Sequence, residues 1–209
     1  MSERAVPFFK RVLPRTWIFV ATVAAVVVLD QITKWLAIAG LTSAFESVAG
    51  DALSFGQKLD AFLWQRHPMR TEAVTVIENF WHFRYVENPG AAWGFLSGSA
   101  TWFRTPFFLM VSVAAMVFIV YYFRKTAPEQ RWLRLALALV FGGAVGNFID
   151  RARLGYVIDF IDWHWFDKAT WPTFNVADSG ITVGVTLMVL EMLLTRQAKP
   201  AAPNDPAAK

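Results

Sequence analysis

The sequence predicts a mainly α membrane protein: four transmembrane helices, a few strands on the outer side of the bilayer, and an amphipathic helix at the surface. Three observations carry this. The 209 residues are 56% hydrophobic and only 17% charged, with a mean hydropathy of +0.38, too apolar for an ordinary soluble domain. Four apolar runs approach or reach the roughly 20 residues that a bilayer requires. The 10 tryptophans and 19 phenylalanines suit extensive contact with a membrane interface.

The length fits one domain. There is no cysteine, which excludes disulfides, thiolate chemistry and thiolate metal sites. The net charge of +4 matters here by its placement, so it does not point to nucleic acid, and no nucleic-acid partner is expected.

Residues 1–16 are polar to mixed and carry Arg4, Lys10, Arg11 and Arg15. The first apolar run, Trp17 to Ile38, is long enough to span. It continues into Asp30-Gln31-Ile32-Thr33-Lys34-Trp35-Leu36, so it reads as structure rather than as a cleaved leader. Residues 39–104 hold no span. Phe55, Leu59, Phe62 and Leu63 recur at helical spacing and predict a short amphipathic helix on the membrane. Around 73–86, Val74 and Val76 alternate with polar residues, as do Phe83 and Tyr85. This predicts strands that turn at Asn88-Pro89-Gly90. A second span is expected over Pro106 to Phe123 and a third over Trp132 to Ile149, with Arg124, Lys125, Pro128, Arg131 and Arg134 at their junction. The segment 150–177 is polar. A fourth span covers Ser179 to Leu194, and the Pro/Ala-rich tail 196–209 is expected to be disordered.

Basic residues concentrate in the N-terminus, the loop between spans two and three, and the tail. They thin out over 39–104. Both termini are therefore expected to be cytoplasmic, with 39–104 and 150–177 on the outer side.

Ionisable residues inside spans are costly and point to function unless paired. Asp30 and Lys34 stand one helical turn apart, and an i,i+4 ion pair is as good a reading as a substrate-binding role. Asn147, Asp150 and Arg151 close span three after the small run Gly142-Gly143-Ala144-Val145-Gly146, where helices can approach closely. They read either as interface charges or as a polar scaffold under an active site. Asn175 and Asp178 open span four, where both residue types are favoured as helix caps.

The stretch Tyr156 to Asp178 holds four aspartates: Asp159, Asp162, Asp167 and Asp178. Asp159 and Asp178 are the candidate catalytic pair. An ionised Asp178 at a helix start and a protonated Asp159 would reproduce the arrangement in which two carboxylates share a proton. The sequence allows them to meet without requiring it. His67, His82 and His164 are too scattered to read as a zinc site, and Asp162-x-His164 is a weak metal pattern, so no metal is expected. The run Gly90 to Gly94 lacks the lysine of a phosphate loop, and no Gly-x-Ser-x-Gly elbow occurs.

Five blocks in order give a resemblance: Asp30 to Lys34, Val86 to Gly94, Gly142 to Arg151, Gly155 to Phe160 and Phe174 to Ser179. Over residues 17–195 the chain resembles the lipoprotein signal peptidase (signal peptidase II) family, membrane aspartic endopeptidases with four spans. The resemblance implies a membrane peptidase domain over 17–195, with a small outer β-cradle. It implies Asp159 and Asp178 as catalytic residues, with Asp30, Lys34, Asn88, Gly143, Asn147, Arg151, Asn175 and Ala177 around the pocket. It further implies a diacylglyceryl-prolipoprotein substrate cleaved before the lipid-bearing cysteine, contact with membrane lipid, no cofactor, and a place in the bacterial inner membrane. A monomer is expected. Arg151 could brace a carboxylate or a carbonyl. Two features depart from the family. Residues 41–72 are longer than usual, and Trp93 stands where phenylalanine is more frequent.

Other readings fit less well. A small transporter would place charges near the midplane and repeat its halves. A presenilin-type peptidase would carry Gly-x-Gly-Asp. A plain anchor explains none of the five blocks.

Overall fold

The computed structural model describes residues 8–47, 51, 53–90, 96, 98–166 and 168–197. The order is α1 (Phe8–Leu41), α2 (Phe55–Trp64), β1 (Val74–Ile77), β2 (Trp81–Asn88), α3 (Thr101–Lys125), α4 (Arg131–Leu154), β3 (Val157–Trp165), β4 (Ala169–Thr170) and α5 (Val176–Gln197). Within these, Thr16–Leu41, Thr101–Lys125, Arg131–Leu154 and Val176–Leu194 are long and apolar enough to cross a bilayer. The helices outrun the apolar runs because backbone hydrogen bonding continues past the last apolar side chain at each end.

Helix α4 is the centre of the bundle. Its span is 44% buried against 11% for each of the other three, which leave valine, leucine and methionine exposed. Glycines make that central position possible. A Cβ on Gly143 would collide with the Ala177 carbonyl oxygen, and one on Gly142 would lie 2.8 Å from Val26 Cβ. One on Gly146 would come to 2.6 Å from Asp30 Oδ2. Small residues thus bring α1, α4 and α5 to backbone contact. Gly146→Val is expected to destabilise by about 1–3 kcal/mol, by overpacking against Asp30 and Ala177. Thermal unfolding in detergent checks this.

Helix α4 stops at Gly155, whose φ of +83° suits a left-handed C-terminal cap and whose N–H donates to the Arg151 carbonyl at 3.0 Å. The chain then enters β3. This strand lies in the stretch the sequence offered as a polar segment, although its run of Val, Ile, Phe and Trp carries the β signal. The four strands form one antiparallel sheet in the order β1-β2-β3-β4. The expected strands at 73–86 are a hairpin whose turn, Glu78 to Phe80, holds Asn79 at φ +60°. Between the pairs Phe83↔Ile161 and Val86↔Asp159, Arg84 and Tyr85 oppose Phe160 alone. This bulge immediately precedes Asp159 in the ladder and re-aims the strand there.

The expected amphipathic helix is α2. Ser54 and Gln57 close a capping box, and Phe62 is buried while Phe55 and Trp64 face outward. Phe62, Phe45 and Trp35 cluster with Leu41, Leu154, Tyr156, Ile158 and Phe160 in one apolar core at the sheet end of the bundle. The long segment 41–72 is thereby part of that core. Arg153 donates to the Phe62 carbonyl at 3.0 Å, and Thr42 bridges to Arg70. Asp167, Ala91 to Phe95 (with Trp93), the first seven residues and the tail from 198 lie outside the described residues.

Candidate active site

Asp159, near the start of β3, and Asp178, in the first turn of α5, converge on one side chain, Asn175. Its Nδ2 donates to Asp159 Oδ1 at 2.8 Å, and its Oδ1 accepts from the Asp178 N–H at 2.9 Å. Asp178 Oδ2 in turn accepts from the Asn175 N–H at 3.2 Å. The two residues therefore cap α5 reciprocally, so capping and participation in the site hold together. Each carboxylate has a second amide donor. Asn88 Nδ2 reaches Asp159 Oδ2 at 2.9 Å, and Asn147 Nδ2 reaches Asp178 Oδ1 at 2.8 Å. Asn88 is oriented by its own turn, its Oδ1 accepting from the Gly90 N–H at 3.1 Å.

Asp159 is fully buried. Burial, and then the nearby charge of Asp178, push its carboxyl up to about 8, while the amides of Asn88 and Asn175 pull the other way. A carboxyl of this kind holds its proton at neutral pH.

Beneath this pair lies a layer of buried charge. Lys34 Nζ is 2.8 Å from Asp30 Oδ2 and 2.7 Å from Asp150 Oδ2, with all three side chains fully buried. Arg153 pairs with Asp150 Oδ1 at 2.9 Å, so two anions meet two cations. The layer also organises backbone: Asp30 Oδ1 accepts from the Ala177 N–H at 3.0 Å, and Asp150 Oδ2 from the Ile158 N–H at 3.1 Å. Lys34 and Asn175 both donate to Asn147 Oδ1, at 3.4 and 3.1 Å, which joins the layer to the carboxylates above.

The ten residues singled out from sequence thus occupy four positions. Asp159, Asp178, Asn88, Asn147 and Asn175 form the hydrogen-bonded cluster. Asp30 and Lys34 form its base, and the pair is both an i,i+4 bridge and a link to α4. Gly143 and Ala177 are the contact that sets the approach of α4 and α5. Arg151 braces a carbonyl, not a carboxylate: its Nη2 donates to Gly90 O at 2.9 Å and its guanidinium lies over Phe108 at 5.0 Å. Its Nε is buried and has no hydrogen-bond partner among the described residues.

Sequence reasoning missed a set of contacts that ties residue 67 to β2 and the start of β3. The His67 N–H donates to the Tyr156 hydroxyl at 3.1 Å, and His67 Nδ1 lies 2.6 Å from Glu87 Oε2. Tyr156 also meets Tyr85, 3.4 Å between hydroxyls, and burial pushes both phenols up. No local motif announces these contacts.

This fold, with a buried polar cluster at one end of its spans, is that of a multi-pass membrane enzyme. Residues 22–194 match the Signal peptidase (SPase) II family. The chain is 49% identical to a lipoprotein signal peptidase of Anaeromyxobacter sp. (strain Fw109-5) over 194 residues, 91% of this chain and 88% of that one. It is 35% identical to the lipoprotein signal peptidase of Psychromonas ingrahamii, with 88% of each chain covered. A bacterial membrane enzyme structure obtained by the in meso method at 2.3 Å resolution superposes with a TM-score of 0.63 at 31% identity. That match covers 89% of this chain and 94% of that one. The chain belongs to the signal peptidase II family, and is by that membership a peptidase.

Proposed function

We propose that the protein is an aspartic endopeptidase that removes the signal peptide of prolipoproteins, cutting before the diacylglyceryl-modified cysteine. The observation that carries this is the shared asparagine: the Asn175 side chain donates to the Asp159 carboxyl and accepts from the Asp178 N–H, the Asp178 carboxyl accepts from the Asn175 N–H, and the Asp159 carboxyl is buried and raised to about 8. In the first step Asp178, as carboxylate, takes a proton from water while the oxygen attacks the scissile carbonyl. Asp159, as carboxylic acid, donates to the carbonyl oxygen. In the second step the tetrahedral intermediate collapses: one hydroxyl returns its proton to Asp159 as the carbonyl re-forms, the C–N bond breaks, and the proton held by Asp178 passes to the departing amine. Asn88, Asn147 and Asn175 hold the two carboxyls. Arg151 positions the turn at Gly90, and Asp30 and Lys34 fix the helices beneath. No cofactor takes part in these steps.

The lipid explains the depth of the site. A diacylglyceryl group pins its cysteine at the membrane boundary, where α4 ends and α5 begins. The charge distribution supports both termini in the cytoplasm and the site at the outer face, and membership of a bacterial family supports the inner membrane as its location. We take the working unit to be a monomer.

Purified protein in detergent should cleave a diacylglyceryl-modified prolipoprotein, with mass spectrometry locating the new N-terminus at the modified cysteine. An unmodified substrate should be cut far more slowly. Equal cutting of both, or a new terminus elsewhere, would overturn the proposal.

The reaction needs one proton on the pair, so kcat/KM is expected to fall as pH rises through about 8, where Asp159 ionises. The same group weakens folding with pH. Its contribution is complete below the unfolded value of about 3.9 and is lost as pH rises toward the folded value. Thermal stability should share that decline, and Asp159→Asn should remove it. A flat profile in both measurements would contradict the assignment.

A further inference from the structure

Strands β2 and β3 carry a second constellation. His82 sits directly opposite Asp162 in the ladder, and His164 is two residues further along β3, so the three side chains leave one face of the sheet. The imidazoles are stacked, with centroids 4.5 Å apart and planes 4° from parallel. One ring nitrogen from each and one Asp162 oxygen lie within 4.8 Å of one another. Asp162 is buried, and its charged neighbour is Arg84 at 3.1 Å, a side chain that is 55% exposed. Among the described residues neither ring is engaged in a hydrogen bond of its own.

We propose that His82, Asp162 and His164 form a binding site for a divalent transition-metal cation, with zinc the best match. Two imidazoles and one carboxylate are a donor set for zinc and its first-row neighbours, and three protein ligands leave a position for water. Bonds of about 2.0–2.2 Å require the donors to draw somewhat closer together. The broad χ2 torsions of histidine and aspartate supply that movement without shifting a strand. Arg84 competes for Asp162, but a half-exposed arginine returns to water at little cost.

The site is separate from the proposed catalytic pair. Asp162 is an odd number of residues from Asp159, so the two leave opposite faces of β3, and three residues of strand place them about 10 Å apart along it. The cation would clamp β2 to β3 beside the bulge and take no part in the hydrolysis. Sequence spacing hides the set because His82 and Asp162 meet only through the ladder.

The test uses tag-free full-length protein in detergent, stripped with a chelator and titrated with zinc chloride by calorimetry. Cobalt(II) gives an optical reading and magnesium is the control. Expected are one zinc per chain, a higher Tm with zinc, visible d–d absorption with cobalt, and no response to magnesium. His82→Ala, His164→Ala and Asp162→Asn should each weaken zinc binding by about tenfold or more. Arg84→Ala should strengthen it by freeing Asp162, which keeps the test decisive if a histidine variant folds poorly. The Asp159→Asn/Asp178→Asn variant should bind zinc like wild type. The absence of stoichiometric zinc in wild type, or full binding by His82→Ala/His164→Ala, would overturn the proposal.

Discussion

Asp159→Asn and Asp178→Asn should each lower the rate of prolipoprotein cleavage by roughly 10²–10⁴-fold, the range for loss of a positioned acid or base. An asparagine at 159 can offer an N–H but cannot hold the exchangeable proton. An asparagine at 178 cannot accept one from water. Both proteins should still fold. Each carboxyl accepts from two donors, Asn88 and Asn175 for Asp159, and Asn147 and the Asn175 N–H for Asp178. An amide supplies one acceptor for two donors, so one hydrogen bond is lost, at a cost of about 0.5–1.5 kcal/mol. Loss of the unfavourable neighbouring charge offsets part of that. The double variant should be little worse than either single one, because groups acting as a unit are not additive. Single-turnover cleavage with Tm measured in parallel checks this. A folded single variant with near wild-type turnover would remove that residue from the chemistry.

Lys34→Met should be the most damaging substitution for stability. It leaves Asp30 and Asp150 fully buried and facing each other without the cation that sits 2.8 and 2.7 Å from them. Breaking a buried pair in this way costs about 3–5 kcal/mol. For a chain of this length that is a fall in Tm of roughly 6–20 °C. Adding Asp30→Asn should recover much of the loss, because Asp150 keeps Arg153 and the layer is neutral again. A single variant with unchanged Tm, or a double variant no better than the single, would mean that the charges are compensated elsewhere.

What the sequence discloses and what it hides divide along the range of the interaction. The four spans were legible because burial in lipid imposes a run of apolar residues on one continuous segment. The Asp30–Lys34 bridge and the caps at Asn175 and Asp178 were legible because helices pair residues three or four apart. The amphipathic helix α2 announced itself by the same period. The strand that carries Asp159 is hidden in the sequence, because its aspartates give the segment a polar character and its partner lies some seventy residues earlier. The partner of Arg151 depends on the turn at Gly90, and the meeting of His82 with His164 depends on ladder register. Gly143 and Ala177 stood close to the right place in sequence, but their work is to bring two helices together.

A direct titration of Asp159 bears most closely on the shared-proton pair. Carboxyl ¹³C shifts of aspartate-labelled protein, assigned through Asp159→Asn, would follow the group in the folded state. Wild type should titrate near 8, and Asp178→Asn should lower that value by removing the neighbouring negative charge while burial remains. If Asp159 titrates in the ordinary aspartate range near 3.9 and ignores the loss of Asp178, the two carboxyls do not act as a coupled pair.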